Sequence, residues 1–399
     1  TGGRKDNMPT IVSGKLRTDG VLAAKVPVDM RSKIDVLDAQ RAFFEYITRQ
    51  FSGIETRGSM KHEFIEQRSY PFTMTCTAAS SPGTTVAVDH PEYARRDQLI
   101  YNTRTGEFYL MNEDVGGTGT AGSITVVNQV NGTGNFVKAT AAGDILLILT
   151  EAHAEGEAIP PAFSVKPTHL FTYLYQHDRV RENTDIQRNS DEYGENQLLI
   201  DRKLFWIEVM RQLSMMLYVG VQTREVSSAS GARRHSMQGL KNWIVTNKID
   251  YSSVAGVLTL ASVGELMRRT KNHSASSDTK VGICGQNSWA AISAMDAAAI
   301  RTTVNATEWG KVLKSLITPY GNLAIGYDNQ LSAENGMADI FVILDPAYIK
   351  RLQLKGEPTR LLLNVLASND IHNQTDVITG TDGLRVSLEE LHAWGYGIK

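Results

Sequence analysis

A chain of 399 residues is longer than one compact core usually takes, so two or three lobes are expected, and a formal net charge of −2 gives no general nucleic-acid signal. Its two cysteines, Cys76 and Cys284, lie far apart, which excludes a thiolate zinc site and a disulfide scaffold and fits a reducing compartment. No apolar run reaches the ~18 residues needed to cross a bilayer, and nothing resembles a signal peptide.

Residues 1–35 read as an N-terminal arm. The start at Thr1, inside a polar stretch without methionine, is read as a trimmed or protease-generated end. Large apolar residues are few here, so the arm cannot form a core alone. Arg4, Lys5, Lys15, Arg17, Lys25, Arg31 and Lys33 outnumber Asp6, Asp19 and Asp29. That is either a basic strap laid on a neighbour or facing nucleic acid, or a solvated tail. Residues 36–75 hold a short helix, 38–51, with Phe43, Tyr46, Ile47 and Phe51 on one face, and the start of an extended segment.

Residues 76–160 carry dense turn punctuation around short β-rich runs at 84–88, 107–111, 123–127 and 144–149. Such spacing predicts a small β-barrel or sandwich inserted into a larger domain. Pro160-Pro161 marks its exit, and 161–192 is a return segment. Within it, residues 168–180 read as one strand in which Phe171, Tyr173 and Tyr175 alternate with Leu170, Thr172 and Leu174. Three aromatics on one strand face predict a subunit contact, packing inside the same chain being the alternative.

A long helix is expected over 193–220, with the loop to 239 completing that region. Leu199, Trp206, Met210, Leu213 and Leu217 fall on one helical face, widened by Leu198, Phe205, Val209 and Met216. A helix of ~40 Å with so wide an apolar face must be covered by other parts of the chain. It is predicted to be the spine, with those five residues as its core.

Residues 240–399 read as an α/β lobe with closing strands. Helices are expected over 258–269 and 289–300, the second capped by Asn287. Strands are expected over 279–284, 320–327, 340–344 and 361–366. Asp345-Pro346 has the chemistry of a helix start, and 385–393 alternates as a closing strand.

Motifs that invite a chemical reading do not hold together. Gly116–Gly122 is glycine-rich, but no helix follows to cradle a phosphate. Cys284 sits in a Gly-Ile-Cys-Gly turn, and neither His273 nor His235 stands in a partner motif that would make it a nucleophile. Glu151, His153, Glu155 and Glu157 recur at period two, whereas metal sites usually draw ligands from several elements. His169 and His177 read as packing residues. No catalytic, cofactor or metal site is assigned, and no enzyme is expected.

The order of parts resembles the major capsid proteins of tailed bacteriophages with the HK97-type fold, in detail the SU10-like branch. The resemblance rests on THLFTYLYQHDRV leading into YGENQLLIDRKLFWIEVMRQL, then MQGLKNWIVTN, DTKVGICGQNSWAAISAM and GMADIFVILDPAYIKRLQLKG, with TGEFYLMN and AAGDILLI in the insert. It implies an α+β, HK97-like capsid fold: an N-terminal arm, an extended β segment with its insert, a spine helix, and peripheral and axial lobes. It also implies a structural role, with hexamers and pentamers tiling an icosahedral shell around double-stranded DNA held by weak nonspecific contact. Portal and decoration proteins are further implied partners. The virion is the implied location, after assembly in the host cytoplasm, with no membrane and no cofactor. Arm and extension are expected to draw their stability largely from other chains. The alternatives are a β-rich decoration or binding protein, and a hydrolase using Cys284.

Overall fold

A computed structural model describes residues 53–111, 113, 122–128, 134–152, 155–156, 165–184, 197–227, 233–295, 300–301, 314–366 and 373–399. The chain divides into two compact units, one of Ile65–Leu170 and one holding Phe171–Lys399 with the segment before Ile65. The architecture is mixed α/β, with few helices and many strands among the described residues.

Strands β1 (Ile54–Arg57) and β2 (Lys61–Glu66) open the described chain. Six strands of the Ile65–Leu170 unit follow: β3 (Thr73–Thr75), β4 (Thr85–Val88), β5 (Gln98–Asn102), β6 (Phe108–Met111), β7 (Gly122–Asn128) and β8 (Ile145–Glu151). They form one sheet in the order β3-β8-β5-β6-β7-β4. Its edges meet where Cys76, just past β3, bridges Val88 of β4. Closure removes the exposed strand edges that invite wrong pairing.

Period-two alternation sends Val86, Val88, Ile100, Tyr109, Met111, Ile124, Val126, Leu146 and Ile148 inward, where they pack with Met74, Cys76 and Phe136. This barrel therefore has a core of its own. The expectation that the extended segment leans largely on other chains is corrected here, because four of the six strands, β4, β6, β7 and β8, each place two apolar residues inside. Strand β5 escaped the sequence reading because Gln98 and Asn102 occupy inward positions and break the apolar pattern. Asn102 Nδ2 donates to Asp144 Oδ2 at 3.2 Å. Arg104 Nε donates to the other oxygen at 2.5 Å. Chiefly through Arg104, the Asp144 carboxyl is held at about 2.

Strand β9 (Thr168–Tyr173) pairs with β2, and in the larger unit β10 (Tyr175–Thr184) runs antiparallel to β21 (Asn373–Val386) over its whole length. The sequence reads 168–180 as one strand, but the structure breaks it at Leu174. That residue is fully buried and its N–H donates to the Met60 carbonyl at 2.8 Å.

Helix α1 (Gln197–Val219) spans 23 residues, or ~34 Å. Phe205, Ile207, Val209, Met210, Leu213, Leu217 and Tyr218 are buried on it. Leu199, expected in the core, is 62% exposed. It lies in the first turn, and polar contacts anchor the turn that follows: Arg202 bonds Asp376 at 2.7 Å, and Arg181 donates to the Asp201 carbonyl at 3.0 Å. Trp206, also expected in the core, is half-buried at the margin of the covered arc. Trp206→Ala is accordingly expected to cost about 1–2 kcal/mol, below the ~3–5 kcal/mol of a fully buried ring; urea denaturation of the purified chain measures it.

Helix α1 ends against the chain that returns from the hairpin of β11 (Thr223–Ser227) and β12 (Arg233–Ser236) into the short α2 (Leu240–Trp243). Gly239 N–H donates to the Gly220 carbonyl at 2.8 Å. A Cβ on Gly239 would lie 2.5 Å from the Gly220 nitrogen. Two main chains cross at a distance only glycine allows.

A seven-stranded sheet follows in the order β13-β22-β18-β14-β17-β16-β15. Its strands are β13 (Lys248–Asp250), β14 (Thr279–Cys284), β15 (Ile300–Arg301), β16 (Lys314–Thr318), β17 (Gly321–Tyr327), β18 (Phe341–Leu344) and β22 (Ala393–Tyr396). Helices α3 (Leu260–Lys271) and α4 (Gln286–Ser293) contribute Val263, Leu266, Met267 and Ile292 to its core with Ile325, Phe341 and Ile343. Gly285, not Asn287, caps α4. Residues 385–393 are not one strand: β21 ends at Val386 and a short turn precedes β22. A five-stranded sheet, β1-β19-β21-β10 with β20 (Arg360–Leu366) also on β21, includes β19 (Ile349–Leu354).

Candidate functional site

The sequence candidates for chemistry are not brought together. Cys284 closes β14 and is fully buried, beyond reach of a substrate. His273 is exposed, and the His235 ring stacks on Tyr173 at 4.9 Å. Burial pushes the Cys76 thiol up to about 11, far from a reactive thiolate. Among the described residues no group of three or more His, Cys, Asp or Glu is placed to hold a metal ion. His153 and Glu157 lie outside them, as does most of Gly116–Gly122, whose last residue opens a strand.

Two buried ionic clusters were missed by the sequence reading. In the five-stranded sheet Arg351 and Asp382 are both fully buried, with Nε to Oδ1 at 2.6 Å. Thr359 donates to Asp382 Oδ2 at 2.5 Å, and Gln353 to Oδ1 at 3.3 Å. His177 of β10 approaches the same carboxylate at 3.9 Å, and burial lowers its basicity.

In the seven-stranded sheet Lys280 and Asp345 are fully buried 3.5 Å apart. Lys280 also donates to the Leu391 carbonyl at 3.1 Å. Ser277 donates to Asp345 through its backbone N–H at 2.9 Å and its hydroxyl at 2.8 Å. His392 Nδ1 accepts from the Asp345 N–H at 3.1 Å. For Lys280 the available signal was a lone charge in the short, mostly apolar strand TKVGIC; Arg351, between Lys350 and Gln353 in IKRLQL, gave none. Such clusters hold sheets in register; they offer no open position to a substrate.

The three aromatics of the return segment part ways. Phe171 is 40% exposed, lies edge-on to Tyr173 at 5.7 Å and carries the Lys61 ammonium 4.6 Å over its ring. Tyr173 is 6% exposed and packs on His235 of its own chain, which corrects the expectation that it faces a neighbour. Tyr175 is half-buried and stacks on His177 at 5.9 Å. The reason is the hairpin β11–β12, which the sequence reading took for part of a loop and which brings His235 under the ring. Tyr173→Ser is therefore expected to lower the stability of the unassembled subunit by about 3 kcal/mol, read as a shifted urea midpoint. An unchanged midpoint would return Tyr173 to the interface reading. Arg4, Lys5, Lys15 and Arg17 lie outside the described residues.

Among the described residues, a groove and an apolar patch stand out. A groove of about 630 Å³ runs along α1, walled by β10 and residues 329–335, with Leu213 and Met216 beside Arg179, Arg211 and Glu334. On the barrel, the outward side chains of β5, β6 and β8 are Leu99, Tyr101, Phe108, Leu110, Ile145, Leu147 and Leu149, with Thr150 exposed beside the bulge at one corner. Cross-strand register makes them one patch: Leu99 faces Leu110, and Tyr101 faces both Phe108 and Leu147. Phe108, Ile145 and Leu149 are 42%, 48% and 42% exposed.

No curated protein matches the chain. Among solved structures it is similar to the capsid of the native GTA particle, at 10% identity and TM-score 0.48, over 96% of this chain and 98% of that one. It is likewise similar to the capsid of Myoviridae phage XM1, at 10% identity and TM-score 0.44, over 95% and 99%. The holo-SrpI encapsulin complex of Synechococcus elongatus PCC 7942 aligns at 12% identity and TM-score 0.39, over 59% and 78%. The family model described as SU10 major capsid protein matches residues 28–399, and the chain belongs to that family of structural, shell-forming proteins.

Proposed function

We propose that this chain is the repeated subunit of hexamers and pentamers that tile an icosahedral head around double-stranded DNA. The family match over residues 28–399 carries the reading. Under it, the Ile65–Leu170 unit is the insert of the extended segment, α1 the spine of a peripheral lobe, and the seven-stranded sheet the axial lobe. Assembly takes place in the host cytoplasm, with portal and decoration proteins as further partners, and DNA is held by weak, distributed attraction. Electron microscopy of the purified full chain tests this. Closed shells or capsomers are expected; a population of monomers or closed trimers under every assembly condition would favour a decoration protein instead.

The basic arm, with Arg4, Lys5, Lys15 and Arg17, is assigned to assembly contacts rather than to tight DNA binding, because its charges are sparse. Deletion of residues 1–30 should leave folded subunits, by circular dichroism, that sediment without stable shells. Shells of normal yield from the truncated chain would refute the assignment.

A further inference from the structure

The groove along α1 is lined by two buried polar side chains whose hydrogen-bonding atoms have no partner among the described residues. Gln330 is 5% exposed, and neither its amide oxygen nor its amide nitrogen is bonded there. Its backbone is pinned on both sides: the N–H donates to Asp328 Oδ1 at 3.1 Å, and the carbonyl accepts from Asn335 Nδ2 at 2.8 Å. His177 of β10 is 7% exposed, and neither ring nitrogen makes a hydrogen bond to the described residues. Asp382 approaches it only to 3.9 Å, and burial favours the neutral ring. Native proteins pair nearly all such groups, with protein, water or ligand. We propose that the groove binds a small uncharged molecule that joins a carboxamide-like donor–acceptor pair to an apolar body. This inference does not depend on the shell reading.

The lining selects that chemistry. The Gln330 carboxamide offers an acceptor oxygen and donor hydrogens side by side, and a neutral imidazole offers one donor and one acceptor. A ligand carrying a donor next to an acceptor satisfies both atoms of Gln330 through two parallel hydrogen bonds. A carboxylate only accepts and an ammonium only donates, so either one leaves an amide atom stranded. Full charge is disfavoured as well, since Gln330 and His177 present dipoles rather than a counter-charge in the buried part. The charged lining residues are the more open ones: Arg179 and Glu334 are exposed, and Arg179 is engaged with Gln212 at 2.6 Å. Beside them the wall is apolar, from Tyr175 of β10 and Met215, Met216 and Val219 of α1. Methionine side chains adapt to the shape of what they hold. A volume of about 630 Å³ suits a small molecule, and a few placed polar groups in an apolar lining are the usual pattern of such sites. A ligand there touches α1, β10 and residues 329–335 together, so binding should stabilise the folded chain.

The test uses the purified full chain and probes of matched size: benzamide, benzoate and benzylamine. Benzamide should raise the melting temperature as its concentration rises. It should bind roughly tenfold more tightly than the other two, the factor set by one buried polar group left unpaired. Gln330→Leu keeps a similar side-chain volume and removes both orphan atoms. Without probe this variant should unfold in urea at or above the parent midpoint, and its preference for benzamide should vanish. Photolysis of 4-azidobenzamide on the parent should label Met215, Met216 or residues 329–335, which locates the site without any substitution. Equal or absent binding of the probes, tightest binding of benzoate or benzylamine, or adducts confined to other segments would overturn the proposal. So would a Gln330→Leu chain that unfolds earlier than the parent, since the amide would then be paired within its own fold or by water alone.

Discussion

Arg351→Ala should destabilise the unassembled subunit by about 3–5 kcal/mol, the largest single effect expected among the described residues. Arg351 and Asp382 sit in adjacent antiparallel strands, each without exposed surface, joined at 2.6 Å. Removing the guanidinium leaves a buried carboxylate with Thr359, Gln353 and a neutral His177 around it. Those groups are too weak to replace a full charge in a medium of low dielectric. Breaking one side of a buried pair is costly for that reason, whereas replacing both partners by apolar residues of similar volume removes the unpaired charge altogether. Arg351→Met combined with Asp382→Leu should thus be less harmful than Arg351→Ala alone, although Thr359 and Gln353 lose an acceptor. Urea denaturation of the three proteins decides the matter. A double variant less stable than the single one would mean that the pair, not the stranded carboxylate, supplies the stability.

What was legible in the sequence follows from which interactions are local. Residues 279–284 were read as a strand to the residue, because a short apolar run between turn residues leaves few alternatives. Asp345-Pro346 opens a single helical turn as its chemistry predicts, with Asp345 Oδ1 accepting from the Ala347 N–H at 3.2 Å. The spine was legible as a helix, yet periodicity could not say which part of its apolar arc other elements cover. Leu199 and Trp206 shared the stripe with Met210, but near its start the helix is tied to β21 by the ion pair of Arg202 with Asp376. Tyr173 was misread because its partner, His235, comes from a hairpin beyond the helix. In the barrel, the inward Gln98 and Asn102 hid a central strand. Asn102 is held there by Asp144, 42 residues downstream, and Gln98 by the Arg95 N–H, from which its Oε1 accepts at 2.9 Å. Closure of the barrel through Cys76 and Val88 is likewise a property of the whole sheet, and no window of sequence contains it.

Acidification from pH 7 to pH 4 should cost the unassembled subunit about 3 kcal/mol through His392 alone. The imidazole is fully buried, and its pKa is lowered from 6.5 to about 4, first by burial and then by the Lys280 ammonium, against an opposing pull from Asp345 and Glu389. Burial also lowers Lys280, with Asp345 opposing. Above pH 6.5 the histidine is neutral in both folded and unfolded chains and contributes no pH dependence. Between 6.5 and 4 the unfolded chain takes up a proton that the folded chain refuses, so stability falls as pH falls. At about 1.4 kcal/mol for each pH unit crossed, the loss reaches about 3 kcal/mol near pH 4. Below that both states bind the proton and this contribution stops growing. His62 and His177, whose basicity burial also lowers, add to the loss with the same sign. His392→Asn isolates the effect, because the amide oxygen can still accept from the Asp345 N–H while nothing titrates. Urea midpoints of the parent should fall steadily from pH 6.5 to pH 4, and those of the variant should fall less. An equally steep acid limb in the variant would assign the loss to other groups. Stability that rises toward pH 5 in the parent would mean that His392 is charged in the folded subunit, stabilised by Asp345 more than it is repelled by Lys280.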